Sequence, residues 1–393
     1  MTTLPQPASA ARPIAASERL HALDAMRGVA ILGVLVAYTV WSLGAPPRET
    51  WSGADHAIAR GMDLLVDNKF LTMFACLFGV GIAQQWRRWD SAGQDPVPLH
   101  ARRMAFLLGV GLLHAGLLRN GDILAPYALL GLGLLGFRRG STRTLATAAV
   151  LLAATPYLVD GVMARLGWSW PERPGAVPGG YLAENFAWLV YWFRTNPFNS
   201  WPLMLALMLA GILIGRSRLI ERMATSRALA GRVLVVASLL ALLTRLALET
   251  LGARWTGAAA GSIRRAALGA LFEVGSWTLA AAYGAGLLLV SRGQRSDALL
   301  GPLRALGRMA FTNYLLQGLI VVPLCLAFGL FDTMTPMRGL VMALAIAAAQ
   351  AWFSTWWLER HPMGPLERVW RGVTYRTSAG GPGGTAASTA PTR

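Results

Sequence analysis

The sequence predicts an all-α, polytopic membrane helix bundle of about ten transmembrane helices, with both termini on the cytoplasmic side. Three observations carry this. First, 54% of the 393 residues are hydrophobic and only 14% are charged, against about 25% charged in an ordinary soluble domain. Second, apolar runs recur at the length a bilayer requires, roughly 17–25 residues. Third, the basic residues collect on alternate connections between those runs.

The runs are 28–45, 70–85, 104–118, 122–137, 144–164, 201–215, 233–251, 266–290, 310–331 and 339–358. Gly and Pro inside them are compatible with spanning helices, because neighbouring helices re-satisfy freed backbone groups. Segments on the N-terminal side hold 24 of the 36 basic residues and 8 of the 19 acidic ones. One face thus carries +16 and the other +1 of the total +17. Basic residues concentrate in cytoplasmic loops, which gives the predicted orientation and a multi-pass place in the bacterial cytoplasmic (inner) membrane. The lipid bilayer is the expected partner. A nucleic-acid groove would interleave its basic residues with exposed aromatics, so none is expected. Whether the chain forms a homo-oligomer stays open at this level.

The chain then divides into a cytoplasmic N-terminal segment (1–27), a single transmembrane domain (28–376) and a disordered tail (377–393) of Gly, Ala, Ser, Thr and Pro. Ala8-Ser9-Ala10 precedes the first apolar run instead of following it, so the first span is expected to stay as an anchor. The segment Gly167–Trp201 carries Trp168, Trp170, Trp188, Tyr191, Trp192 and Trp201. It is expected to hold an interfacial helix with an aromatic belt, or a substrate-gating loop.

Gly131-Leu-Gly133-Leu-Leu-Gly136 matches a dinucleotide fingerprint by letters alone. It has no preceding strand and no acidic residue about 20 positions on, and it lies in an apolar run. Its small residues are expected to let helices approach closely. Two isolated cysteines, Cys76 and Cys325, make neither a disulfide framework nor a metal site. No metal-ligand spacing, phosphate-binding loop or serine elbow is present.

Polar residues inside spans are costly and therefore mark function by default. Asp24 and Arg27 share a helix face at the cytoplasmic end. Arg308 precedes the ninth span, in which Asn313 and Gln317 face one way, either bonding between helices or lining a polar path. At the outer side, Lys69, the only lysine, follows Asp63 and Asp67. His114 stands eight residues before Asp122, about 12 Å away if helical. Asp122 also suits a helix cap. Tyr38 is eleven residues past Arg27, about 16 Å deeper, near His114 in depth. Glu273 has no partner in sequence, while Arg245 and Glu249 are spaced to pair. His114 is either hydrogen-bonded within the bundle or a general base, since imidazole titrates near neutrality.

Taken together, these residues give a resemblance. Leu23-Asp24-x-x-Arg27-Gly28-Val-Ala-Ile-Leu-Gly33 and Lys69-Phe70-Leu71-Thr72-x-Phe74-Ala75-x-Leu77-Phe78-Gly79 come first. His114 and Gly121-Asp122-Ile123-Leu124-x-x-Tyr127-x-Leu129-x-Gly131-Leu132 follow. Gly307-Arg308-Met309-Ala310-Phe311-Thr312-Asn313-Tyr314-Leu-Leu-Gln317, Gly364-Pro365-x-Glu367 and Trp370-Arg371 close the set. Over nearly its whole length the chain resembles the YeiB-like family of bacterial inner-membrane proteins, a family named for unknown function. The Asp24-x-x-Arg27-Gly28 opening is also similar to that of transmembrane acyltransferases. In many of those a histidine follows the aspartate by fourteen positions, where this chain has Tyr38.

Two functions follow as expectations. In acyl transfer, Arg27 and Arg308 would attract the phosphates of acyl-CoA, a co-substrate rather than a tightly bound cofactor. His114 would deprotonate an acceptor, oriented by Asp122 or a neighbouring carbonyl, with Tyr38 or Asp122 close to the ring. Asp24, Lys69, Tyr127, Asn313, Gln317 and Glu367 would complete the cavity. In transport, Glu273, Asp122 and His114 would carry protons or an organic ion. A non-catalytic membrane role is the third reading.

Overall fold

In a hydrocarbon medium every backbone N–H and C=O must be satisfied within its own segment or by a closed barrel. The computed structural model describes residues 21–118, 122–175, 177–259, 261–293 and 296–375, and their regular structure is entirely helical. The tail 377–393, most of the N-terminal segment and the link 119–121 lie outside the described residues.

The helices in order are α1 (His21–Trp41), α2 (Gly53–Leu65), α3 (Lys69–Ser91), α4 (Pro96–Leu117), α5 (Leu124–Gly133), α6 (Thr142–Arg165), α7 (Gly180–Thr195), α8 (Ser200–Arg216), α9 (Leu219–Thr225), α10 (Arg227–Arg254), α11 (Ile263–Val290), α12 (Ser296–Arg308), α13 (Ala310–Phe328), α14 (Pro336–Arg360) and α15 (Pro365–Tyr375). Each of the ten apolar runs is centred on a different helix. Seven spans among the described residues are long and apolar enough to cross a membrane, and the pair α7–α8, bent by 60°, makes an eighth if taken as one. The tally falls short of ten at two places. The first turns of α4 carry His100, Arg102 and Arg103 ahead of its apolar run, which leaves the apolar part short. The apolar stretch Leu124–Phe137 is short.

Helix starts follow local chemistry. Side-chain oxygens of Ser52, Asp95, Ser141, Ser226, Ser262 and Thr335 accept the first free N–H groups of α2, α4, α6, α10, α11 and α14. Asp55 completes a capping box with Ser52 and also accepts from the N–H of Met337, joining α2 to the start of α14.

Small residues set the closest crossings. A side chain at Gly211 would run into the carbonyl of Cys76, and one at Gly79 into that of Met208, which locks α3 against α8. Gly28 meets the Leu303 carbonyl and Gly307 meets that of Asp24, so α1 and α12 pack backbone to backbone. Gly131 of the rejected fingerprint abuts the Met104 sulfur. The largest buried cluster lies among α3, α4, α5, α8 and α13. By contrast, α6 and α10 present exposed apolar faces, with Val150, Leu151 and Leu158 on one and Val235, Val236 and Leu239 on the other. Faces of that kind are what a bilayer covers.

Candidate functional site

The candidate site is organised by α13, whose residues four apart share a face. One face carries Tyr314 and Gly318 towards α4 and α5. The next carries Asn313 and Gln317 towards α14 and α1.

On the first face, the Tyr314 hydroxyl donates to Asp122 Oδ1 at 2.7 Å, and His114 Nδ1 contacts the same oxygen at 3.0 Å. The backbone N–H of Ala125 donates to Asp122 Oδ2 at 3.0 Å, so this carboxylate also caps α5. The N–H of Ile123 donates to the Tyr314 hydroxyl at 3.2 Å. His114 and Asp122 are 3% and 1% exposed, which leaves almost no water to compete for these bonds. A buried carboxylate must collect donors, and Asp122 has three. His114 Nδ1 faces that carboxylate, which favours the tautomer with hydrogen on Nδ1; in that neutral tautomer Nε2 is an acceptor. It is buried without a hydrogen-bond partner, and it lies over Gly318, where a methyl group would stand 2.6 Å away.

Sequence spacing set Asp122 about 12 Å from His114. The chain is instead back beside His114 by Asp122, because α4 ends three residues after the histidine. Gly318 is eight residues into α13, about 12 Å from its start, so the cluster sits deep in the bundle. From the far end α7 covers it, and the Tyr181 hydroxyl donates to the Leu118 carbonyl at the end of α4.

On the second face, Gln350 Nε2 donates to the Asn313 carbonyl at 2.9 Å and Asn313 Nδ2 donates to Ser354 Oγ at 2.9 Å. Gln317 Nε2 reaches the Ile31 carbonyl and Gln350 Oε1, both at 3.4 Å. This buried belt ties α13 to α14 and α1. Gln350 and Ser354 have a sequence signal of their own: two polar residues four apart in an apolar run.

At the start of α13 the preceding Met309 has no side-chain cap to give. Glu367 of α15 supplies it, with Oε1 accepting from the N–H groups of Phe311 and Thr312 and Oε2 from the Thr312 hydroxyl. Burial raises the Glu367 carboxyl above its ordinary value, and these donors offset part of that. Arg27 pairs with Asp24 at 3.1 Å. Arg308 donates to the Pro362 carbonyl. Asp24, Arg27, Arg308, Asn313 and Glu367 thus gather around the α12–α13 junction through separate sets of bonds. Nearby, the Arg103 guanidinium lies 3.5 Å over the Trp370 ring.

The remaining expected residues lie elsewhere. Tyr38 belongs to a separate buried cluster with Leu35, Val321, Cys325 and Met334. Tyr127 is buried with an unpartnered hydroxyl and stacks on Phe78. Lys69 donates to the Asp63 carbonyl and lies over the Phe272 ring. Glu273 accepts from Asn68, and Arg245 bonds both Asp63 and Glu249.

A family model described as "Protein of unknown function (DUF418)" matches residues 214–377, which include α13 to α15 but not His114 or Asp122. Three similar proteins cover both halves. The uncharacterized protein YxaH of Bacillus subtilis (strain 168) is 28% identical over 93% of this chain and 97% of its own. An uncharacterized 39.9 kDa protein in the amylase 3' region of Bacillus acidopullulyticus is 28% identical over 92% and 96%. The uncharacterized protein YeiB of Escherichia coli (strain K12) is 30% identical over 92% and 97%. No solved structure matches.

Proposed function

The chain belongs to the YeiB-like (DUF418) family of proteins of unknown function, and we propose that it is a membrane-embedded transferase moving an acyl group from cytosolic acyl-CoA to a hydroxyl or amine acceptor. One observation supports this above the others: a buried imidazole whose Nδ1 meets a carboxylate at 3.0 Å while its Nε2 has no partner. A carboxylate that fixes the ring and leaves the far nitrogen bare is the arrangement of a general base.

In this reading His114 Nε2 accepts the acceptor's proton as its oxygen or nitrogen attacks the thioester carbonyl. The carbon–sulfur bond breaks, and the coenzyme thiolate leaves with the proton returned from Nε2. Asp122, held by Tyr314 and the Ala125 N–H, steadies the imidazolium between the two transfers. Arg27 and Arg308 at the other end of the bundle attract the coenzyme phosphates. The polar belt Asn313–Gln317–Gln350 lies between the two ends.

The reading includes ten transmembrane helices, with both termini cytoplasmic in the inner membrane. Basic residues number 24 on the proposed inner face and 12 on the other.

The test is release of coenzyme thiol from acyl-CoA by the purified protein in native lipid, compared with His114→Gln. Loss of a general base costs about 10²–10⁴ in rate, with folded yield kept. Turnover retained in His114→Gln removes the histidine from the chemistry. No acyl-CoA binding by the unmutated protein removes acyl transfer and leaves solute transport.

A further inference from the structure

At the end of the bundle opposite Arg27, α6 and α11 diverge around a cavity of about 300 Å³. Asp160 of α6 and Arg265 of α11 both line it. Opposite charges sharing a cavity near a membrane surface gain by pairing, yet among the described residues neither forms an ion pair. Asp160 Oδ1 accepts only from Trp170 Nε1, at 2.8 Å. The Arg265 guanidinium is exposed at the mouth. The gap is built in. The Tyr157 ring lies on Gly269, where a methyl group would stand 2.7 Å from a ring carbon. Gly261, at φ +69°, folds its loop down onto Asp160 and Ala164.

The surroundings fix the depth. Trp168 is 65% exposed beside the tryptophan that holds Asp160, and exposed tryptophans sit at headgroup level. Leu158 of α6 and Ile263 at the start of α11, 65% and 85% exposed, add apolar surface on the two helices that line the cavity. A separated cation and anion, an aromatic wall and apolar helix surface close by complement one kind of ligand.

We propose that this cavity binds a zwitterionic aminophosphate headgroup from the outer leaflet, with its ammonium at Asp160 and its phosphate at Arg265. Arginine suits phosphate through paired N–H donors. The free oxygen of Asp160 and the Tyr157 face suit an ammonium. The volume is at the low end for a ligand pocket, enough for a headgroup, while the acyl chains lie along the exposed face of α6. The site is separate from His114 and does not rest on acyl transfer.

The experiment uses the full chain in nanodiscs of mixed phosphatidylethanolamine and phosphatidylglycerol, with retained lipid read by native mass spectrometry. The expected result is preferential retention of phosphatidylethanolamine. Asp160→Asn abolishes the preference, and Arg265→Gln lowers retention of both lipids, by about tenfold for one charged hydrogen bond. Soluble glycerophosphoethanolamine fails to displace the lipid. Equal retention of both lipids by the unmutated protein overturns the proposal without recourse to a variant. So does a preference that survives both substitutions in folded protein. Displacement by the soluble headgroup overturns the assignment to the leaflet and makes the ligand a free solute.

Discussion

His114 Nε2 occupies the space in front of Gly318, so that a methyl group on this glycine would stand 2.6 Å from the nitrogen. The residue opposite the bare nitrogen is thus one without a side chain. Gly318→Ala is expected to abolish acyl-CoA turnover by pushing the imidazole off its place against Asp122. Overpacking of this kind costs about 1–3 kcal/mol in stability, so the variant should still fold. Turnover and melting temperature measured together check this. Unchanged turnover in Gly318→Ala would place the reacting proton elsewhere.

Tyr314 holds Asp122 from α13 while Ala125 holds it from α5. Tyr314→Phe removes a donor from a buried carboxylate and the acceptor of the Ile123 N–H. A buried group left unsatisfied costs about 1–3 kcal/mol. The expected outcome is a lower melting temperature in detergent and slower turnover with the Michaelis constant for acyl-CoA little changed. Full stability in Tyr314→Phe would show the bond to be replaceable.

The helices were legible because a bilayer leaves the backbone only helices or a closed barrel, and runs of this length are helical spans, not barrel strands. The shared face of Asn313 and Gln317 was legible for the same reason, since a helix repeats every 3.6 residues. The pairing of His114 with Asp122 was expected on chemical grounds and is present, but the spacing alone did not bring the two within bonding distance. It depends on where α4 stops, and an eight-residue spacing reads as 12 Å until the chain turns back. Tyr38 shows the other limit. Depth along α1 can be counted from Arg27, but azimuth cannot, and its ring joins Cys325 and Met334 instead of the histidine. The amphipathic helix α15 lies past the last apolar run, though Glu367 within it caps α13.

Glu367 joins α15 to α13 and has its carboxyl raised by burial. A raised acid favours the protonated form in the folded state. Its contribution to stability is full below the ordinary carboxylate range and is lost as pH rises through the raised folded value. Melting temperature should therefore fall with rising pH across that window, and Glu367→Gln, whose amide oxygen still accepts from Phe311 and Thr312, should flatten the fall. Glu367→Ala, which leaves the first turn of α13 uncapped, should cost about 0.5–2 kcal/mol at every pH. A slope that persists unchanged in Glu367→Gln would assign it to another group.

Arg138 and Gly175 lie on either side of α6, a 24-residue helix whose apolar face is exposed over most of its length. Arg138 pairs with Asp90 in the last turn of α3, at the proposed cytoplasmic end, and Arg139 and Arg143 lie close by in sequence. Gly175 lies in the tryptophan-rich segment before α7. Retention of arginine clusters on the cytoplasmic side predicts that a phosphatase or fluorescent reporter fused after Arg138 reads as inside, and one after Gly175 as outside. The pair isolates α6 from any question about α4 and α5, because it tests one crossing whose length and composition suffice. Opposite readings in the predicted sense fix the end of the bundle that carries Arg27, Arg308 and Glu367. The reverse sense would put those arginines outside, out of reach of cytosolic acyl-CoA, and would remove the proposed donor.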